Sequence, residues 1–377
     1  FSIVGPYSRR FAMKRVGVGI IGCGVISAAY LKAARKFPIL EIVALADADP
    51  KAAEARGREF GIPAKSVAAL LDDPTIEIVL NLTIPKAHVE VGLQAVAAGK
   101  HVHSEKPLGV NLAEADALLA AARAKGVRIG CAPDTFLGGA HQTARKLIDE
   151  GLIGRPIGGT AFFMCPGHER WHPNPGFYYL GGGGPMLDMG PYYITDLVNL
   201  LGPVASVSGV ATRLRGTREI TSEPLKGTRI PVEIATHVTG TLLFVDGAAV
   251  TVTMSFDVPK HKHAPLEIYG EKGSLLVPDP NFFGGTIEFA SASQDWKIMP
   301  TQHAYADDNY RIIGVADMAR AIRDGRPHRA SGALAYHVLE VMLAFQTSSD
   351  AGVSTVIQSR PERPEMLTTP KIVGPLD

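Results

Sequence analysis

The segment Val16-Gly17-Val18-Gly19-Ile20-Ile21-Gly22-Cys23-Gly24-Val25-Ile26-Ser27 constrains the fold more than any other stretch of this 377-residue chain. Its first six residues carry no polar face, the pattern of a short strand covered on both sides. A Gly-x-Gly-x-x-Ser turn follows, then a helical stretch that Pro38 stops. In a strand–turn–helix unit of this kind Gly22 permits the tight turn, and Gly24 lets the backbone approach a pyrophosphate. The free N–H groups and dipole of the helix N-terminus favour the anion. Ser27 takes the place of the usual third Gly or Ala and is small enough to do so. Asp47 ends the next strand, 25 residues after Gly22. A carboxylate there accepts hydrogen bonds from ribose hydroxyls and repels a 2′-phosphate, which favours NAD, with NADP as the alternative. The bland reading is a glycine-rich turn without a ligand.

The first third of the chain alternates strands and helices. Strands are expected over 16–21, 41–47, 76–82 and 101–103, and from 127 onward. Asp49-Pro50 opens a helix as N-cap and first-turn proline, and Gly61 closes it. A helix over about 86–98 ends at Gly99. Asn111 with Glu114 resembles a capping box for a helix that stops at Gly126. Regular alternation implies a parallel sheet with right-handed crossovers. From about 157 the pattern changes. After a helix near 139–150, β-branched runs occur at 160–164, 204–211, 237–244, 248–256, 266–269, 274–277 and 286–289. Asp246-Gly247 and Gly270-Glu271-Lys272-Gly273 read as hairpin turns, so an antiparallel meander is expected, followed by helices over about 308–324 and 332–348. The domains expected are 13–135, binding NAD or NADP, and 136–377, binding substrate and mediating oligomerisation.

Composition narrows the partners. Lys plus Arg (38) nearly balances Asp plus Glu (37), a net charge of +1, so no overall field draws the chain to nucleic acid or an anionic membrane. Forty glycines are an excess over the usual ~7%, without a collagen period. The three cysteines, Cys23, Cys131 and Cys165, form neither a disulfide framework nor a CxxC zinc motif, and a reducing, cytoplasmic setting fits. No apolar run reaches the ~18 residues of a membrane span. Ser8-Arg9-Arg10-Phe11 loosely resembles a twin-arginine signal, but the apolar run beyond it contains the glycine fingerprint, and cleavage there would destroy the first strand. Residues 1–12, which precede Met13, are expected to be a leader or a segment outside the native start. Intact-mass analysis of natively expressed protein decides that point.

Three further segments could carry chemistry. Glu105-Lys106-Pro107 follows the fourth strand, at the carboxyl edge where open parallel sheets bind ligands. A lysine there could orient a hydroxyl; otherwise it is an unremarkable surface residue. Gly181-Gly182-Gly183-Gly184-Pro185-Met186-Leu187-Asp188-Met189-Gly190-Pro191-Tyr192 leaves room for a ligand at its glycines and then starts a helix. Asp188 and Tyr192, four apart, share one helix face. The bland reading makes Asp188 a capping acid. His168-Glu169-Arg170-Trp171-His172 matches HExxH literally, yet Pro173 would clash with the carbonyl of Glu169 in the helix that zinc ligation needs. No metal is expected. Trp171, His172, Phe177, Tyr178 and Tyr179 could instead form an aromatic wall, or a small packed loop. His261-Lys262-His263 reads as solvent-exposed.

The glycine fingerprint, Glu105-Lys106-Pro107 and the GGG-x-x-x-D-x-G-x-Y segment, in this order, resemble the glucose–fructose oxidoreductase/inositol dehydrogenase (Gfo/Idh/MocA) family over residues 14–352. The resemblance implies an α/β Rossmann N-terminal domain plus an α+β C-terminal domain with an open, mainly antiparallel sheet. That sheet commonly joins subunits, so a homodimer or homotetramer is implied. The activity implied is NAD(P)-dependent oxidation or reduction of a sugar, polyol or related cyclic alcohol. The family's catalytic lysine matches Lys106, beside a proline (Pro107) that is often cis, and its aspartate matches Asp188. Its catalytic histidine position holds Tyr192, as in the branches where a tyrosine is the acid/base. Thr83-Ile84-Pro85 with His88 resembles the loop beside the cofactor, and Glu105 lies near the nicotinamide end. The cofactor set implied is thus Gly22, Cys23, Gly24, Val25, Ile26, Asp47, Thr83, Ile84, Pro85, His88, Glu105 and Lys106. The substrate set is Lys106, Trp171, His172, Asp188 and Tyr192. Two departures stand out: Pro133-Asp134-Thr135 where many members carry Asn-Arg, and Thr195 in place of an aspartate, with Asp196 one further on. Unperturbed Lys and Tyr titrate near ~10, so either is expected to be depressed if it acts as base. Two other readings remain at this point: a glycosidase with an internal NAD redox cycle, and a dinucleotide-binding sensor. Retention of Lys106, Asp188 and Tyr192 together argues against the sensor.

Overall fold

Two large sheets organise residues 14–368, the part of the chain described by the computed structural model. The leader expected over 1–12 lies outside the described residues. The first sheet contains β1 (Val16–Ile21), β2 (Leu40–Ala46), β3 (Ile78–Asn81), β4 (His101–Ser104) and β5 (Ile129–Cys131). All are parallel, in the order β2-β1-β3-β4-β5. Its helices are α1 (Ser27–Ala34), α2 (Pro50–Phe60), α3 (Val67–Leu71), α4 (His88–Ala97) and α5 (Leu112–Lys125). Every residue of β1 is buried, which explains its unbroken apolar run. The Asp49 side chain accepts from the Lys51 N–H, with Pro50 at the first helical position and Gly61 left-handed at the C-terminus of α2. Strand order reverses beside β1, so the crevice outside the carboxyl ends of β1 and β3 is where this topology opens to a ligand.

After α6 (Gly139–Asp149) come β6 (Pro156–Met164), α7 (Pro185–Leu201), β7 (Val204–Thr212), the small hairpin β8 (Thr217–Glu219) and β9 (Arg229–Pro231), and β10 (His237–Phe244). They are followed by β11 (Ala249–Ser255), β12 (Leu266–Gly270), β13 (Ser274–Val277), β14 (Ile287–Ser291) and β15 (Gln294–Met299). The described chain ends with α8 (Ile313–Asp324), α9 (Gly332–Ala351) and β16 (Thr355–Val356). The second sheet runs β15-β14-β13-β12-β6-β11-β10-β7-β16. Hairpins form at Asp246-Gly247 and at 270–273 as expected, and the sheet is mainly antiparallel. A simple meander is not what forms, however. β6 sits between β12 and β11, antiparallel to the first and parallel to the second. Local alternation marks a strand but says nothing about which distant strand will flank it. A second correction concerns α8, which begins at Ile313 rather than near 308, because Ile312 turns through φ 102° before it.

The layer that positions the site is α9 on the second sheet, with α7 packed against α9. Gly209 and Gly240 are register partners in β7 and β10, and Phe345 of α9 fills the notch they leave. A Cβ on Gly240 would stand 2.2 Å from the Ser208 carbonyl oxygen and 3.0 Å from the Phe345 ring. α7 is also tied to α6 by His141 Nδ1, 2.7 Å from Asp196 Oδ2, both fully buried. Among the described residues no helix is long and apolar enough to cross a membrane. Gly240→Val should therefore lower the thermal midpoint by several degrees, about 1–3 kcal/mol of overpacking. Differential scanning calorimetry reads this, and an unchanged midpoint would sink the notch argument.

Candidate active site

The cofactor edge is built by the turn after β1. Gly22 adopts φ 105°, and a Cβ there would lie 2.5 Å from the carbonyl carbon of Leu82. Only glycine joins β1 to α1 at this distance from the β3 loop. Asp47, at the end of β2, accepts from the Cys23 N–H through Oδ2 at 2.7 Å and from the Asp49 N–H through Oδ1 at 2.9 Å. It thereby fixes the turn and keeps lone pairs for further donors. The N–H groups of Gly24, Val25 and Ile26 meet no acceptor of the chain among the described residues. A Cβ on Gly24 would meet nothing within 4 Å. Val25 and Ile84, 89% and 68% exposed, are apolar surfaces on either side of this opening. Open space over a helix N-terminus, unpaired donors, apolar flanks and a carboxylate at the β2 end together fit an NAD dinucleotide.

His88 borders the cleft with both ring nitrogens directed at backbone carbonyls. Its Nδ1 lies 2.7 Å from the Pro107 carbonyl and its Nε2 3.0 Å from that of Thr83. It braces the 83–85 loop against the 105–107 loop, and burial pushes its pKa down. Glu105 accepts from the Tyr30 hydroxyl at 2.6 Å and from the Lys106 N–H at 3.0 Å. The Lys106–Pro107 peptide is cis, as the resemblance implied.

Beyond these loops a cleft of about 280 Å³ is lined by Ile26, Thr83, Pro85, His88, Glu105, Lys106, Pro107, Phe177, Tyr178, Gly182, Gly183, Leu187, Asp188, Tyr192 and Arg311. The first turn of α7 brings Asp188 to Lys106, whose Nζ donates to Asp188 Oδ1 and to the Asp188 carbonyl, both at 2.8 Å. Tyr192, one turn on, places its ring centre 5.3 Å from the same Nζ. Burial would push Lys106 down, but Asp188, Tyr192 and Glu105 together hold it above the usual lysine range. Burial likewise opposes ionisation of Asp188, and Lys106 and His168 overcome it, bringing the carboxyl down to about 2. Burial raises Tyr192, with Lys106 and Arg311 pulling the other way. Neither Lys106 nor Tyr192 is thus depressed, contrary to the expectation for a resting base.

Two neighbours of this group carry no local sequence signal for their role. Arg311 donates from Nη1 to the Tyr192 hydroxyl at 3.1 Å and from Nη2 to Asn281 Oδ1 at 2.9 Å. His168 places Nε2 3.0 Å from Asp188 Oδ2. The HExxH residues are parted: His168 joins the site, Glu169 turns to Arg218 and Tyr179, and His172 Nδ1 accepts from the Asn174 N–H. Their segment is a short 3₁₀ turn, His168–Arg170, not an α-helix. Among the described residues no cluster of three His, Cys, Asp or Glu could hold a metal. Trp171 and His172, expected as substrate contacts, do not line the cleft. Phe177 and Tyr178 form that wall, and His172 packs against both rings from outside it.

Residues 16–132 match the oxidoreductase family with an NAD-binding Rossmann fold, and residues 141–276 match the GFO/IDH/MocA C-terminal domain. The chain belongs to the Gfo/Idh/MocA family. Among curated relatives, levoglucosan dehydrogenase of Pseudarthrobacter phenanthrenivorans is 24% identical over 372 residues, covering 86% of this chain and 94% of that protein. The 1,5-anhydro-D-fructose reductase of Ensifer adhaerens is 33% identical over 177 residues, covering 45% of this chain and 52% of the reductase. The chain therefore matches about half the length of that reductase. A solved levoglucosan dehydrogenase in complex with NADH and L-sorbose superposes with TM-score 0.80 at 24% identity, covering 92% of this chain and 100% of that one. This Gfo/Idh/MocA chain is accordingly an NAD(P)-dependent oxidoreductase, and the glycosidase and sensor readings find no support in these relatives. Because a Gly24 side chain would enter open space, Gly24→Asp should leave the thermal midpoint unchanged while placing a carboxylate against the dinucleotide. NADH affinity should fall by at least about tenfold in fluorescence titration. Equal affinity in the two proteins would refute this placement of the pyrophosphate.

Proposed function

We propose that the chain interconverts a secondary hydroxyl and a keto carbon on a sugar, polyol or sugar derivative. The observation that carries this reading is the Lys106 ammonium held 2.8 Å from Asp188 and over the Tyr192 ring, in a cleft that adjoins the dinucleotide loops. Bound NAD supplies the hydride acceptor, or as NADH the donor, at its nicotinamide. The relatives' names, levoglucosan dehydrogenase and 1,5-anhydro-D-fructose reductase, support a carbohydrate substrate.

Lys106 remains an ammonium in this environment and stabilises negative charge developing on the reacting oxygen. Asp188 orients Lys106 and offers an acceptor to a substrate hydroxyl. Tyr192 lies between two cations, Lys106 and Arg311, and exchanges the proton with the reacting oxygen. Both acid–base groups are held in their proton-loaded forms, which suits donation to a carbonyl oxygen. Oxidation requires the scarce deprotonated form, so its rate should rise with pH from neutrality to about pH 10. Reduction should be flat or fall over the same interval. Val210, Leu243 and Thr251 lie on the face of the second sheet away from α9, where a second copy could form a homodimer or, with further copies, a homotetramer.

Absorbance at 340 nm with NAD⁺ or NADP⁺ against sugars, inositols and anhydrosugars identifies the substrate and tests the Asp47 preference for NAD. A signal for some member of the panel is expected. Silence in both directions, with NADH still bound, would overturn the carbohydrate assignment. Lys106→Met and Tyr192→Phe should each lower turnover by ~10²–10⁴ with little change in NADH affinity. Full activity in a folded Lys106→Met protein would remove that residue from the reaction.

A further inference from the structure

The HExxH-like segment, unused by any metal reading, touches the reacting pair at one atom. His168 is buried, with its ring edge-on to Tyr178 at 4.5 Å and tilted against Phe256 at 4.4 Å. Its Nε2 lies 3.0 Å from Asp188 Oδ2, and its Nδ1 lies 3.1 Å from the indole Nε1 of Trp171. An indole N–H can only donate. Nδ1 must therefore accept, which leaves the proton of the neutral ring on Nε2, pointing at Asp188. Protonating Nδ1 would set two N–H groups against each other. The exposed indole is thus the outer end of a chain of donors: Trp171 to His168, His168 to Asp188 Oδ2, and Lys106 to Asp188 Oδ1.

We propose that His168 is a positioning residue, locked by Trp171 as the neutral Nε2–H tautomer, that holds Asp188 in the orientation which fixes Lys106. This rests on the reading of Lys106 and Asp188 as the reacting pair. The 3₁₀ turn is built to keep the lock in place. The His168 N–H donates to the Tyr179 hydroxyl at 3.0 Å. Glu169 is held on the far side by Arg218 Nη1 at 2.6 Å, and Arg218 is shared with Asp257. The titratable and charged groups facing His168 from its surroundings are Asp188 and, through it, Lys106, together with Tyr178, Tyr179, Glu169 and His172. With Asp188 Oδ1 on Lys106 and Oδ2 on His168, the carboxylate has no freedom to rotate away when substrate enters.

Two measurements on the full chain test this. Nitrogen-15 NMR of histidine-labelled protein, with His168→Gln identifying the His168 signals, should show the proton on Nε2 and Nδ1 as an acceptor. In Trp171→Phe, which removes the indole donor, the Nδ1 signal should move downfield as that nitrogen loses its hydrogen bond. An Nδ1–H tautomer, or identical behaviour in Trp171→Phe, would overturn the lock. This arm needs no substrate, so it fails separately from the carbohydrate reading. In the 340 nm assay His168→Leu, which leaves Asp188 Oδ2 without its donor, should lower kcat by about ten- to a hundredfold with KM little changed. His168→Gln, which restores an N–H donor, should return kcat to within about threefold of the parent. Parent-like kcat in His168→Leu, or equal loss in both variants at unchanged thermal midpoint, would overturn the positioning role.

Discussion

The ion pair between Lys106 and Asp188 is the contact on which the rest of the site depends. It joins the loop after β4, in the first sheet, to the first turn of α7, which packs with α9 and the second sheet. Removing an ammonium and a carboxylate from water costs more than their attraction returns unless their remaining hydrogen-bonding capacity is also met. The structure meets it in several ways. Lys106 Nζ donates to the Asp188 carbonyl as well as its carboxylate, Asp188 takes a second donor from His168, and α7 directs its N-terminal dipole at the acid. A pair so well satisfied has one charge state at neutral pH. That is why the chemistry assigned to Lys106 is electrostatic support rather than resting-state base catalysis.

Because the partners come from elements packed on different sheets, the pair also explains the burial behind α7. A helix that delivers a carboxylate across a domain boundary must not slide. α7 is gripped on one side by α9, which is itself seated in the Gly209–Gly240 notch, and on the other by the buried His141–Asp196 contact. Asp196 thus anchors the helix eight residues beyond Asp188 and one past Thr195, the position at which the family resemblance implies an aspartate. Packing energy far from the cleft is converted into the position of one side chain within it.

The parts of this arrangement legible in the sequence are those written locally. The β1–α1 turn declares itself because a tight left-handed turn demands Gly22, and Asp47 and Asp49-Pro50 are likewise read from neighbours a few residues apart. Asp188 and Tyr192 were recoverable because helical spacing alone puts them on one face. The insertion of β6 between β11 and β12 was not legible, since it depends on pairing across nearly a hundred residues. His168 was hidden for a different reason. It stood inside a motif with a more familiar meaning, and the proline that argued against the zinc helix carried no hint of where the imidazole would go instead. Trp171 and His172 drew attention as aromatic neighbours, yet the ring that reaches the acid is three residues before Trp171.

Arg311 shows what long-range strain adds to such a site. The residue after it, Ile312, is β-branched and adopts φ 102°, a conformation that costs such a side chain about 1–3 kcal/mol. The cost is offset by Asp134, fully buried, whose Oδ2 accepts from the Ile312 N–H at 3.1 Å and the Gly314 N–H at 2.9 Å. Burial lifts the Asp134 carboxyl to about 6, against the pull of those N–H groups and of Arg311. The turn delays the start of α8 and directs the Arg311 guanidinium back to the Tyr192 hydroxyl. Asp134 occupies the stretch after β5 where many family members carry Asn-Arg. In this chain Arg311 brings a cation beside the phenol, and the acid at that stretch holds the turn that delivers it. The departure from the family pattern at Asp134 and the strained turn at Ile312 are therefore two ends of one arrangement, and it is Tyr192 that the arrangement serves.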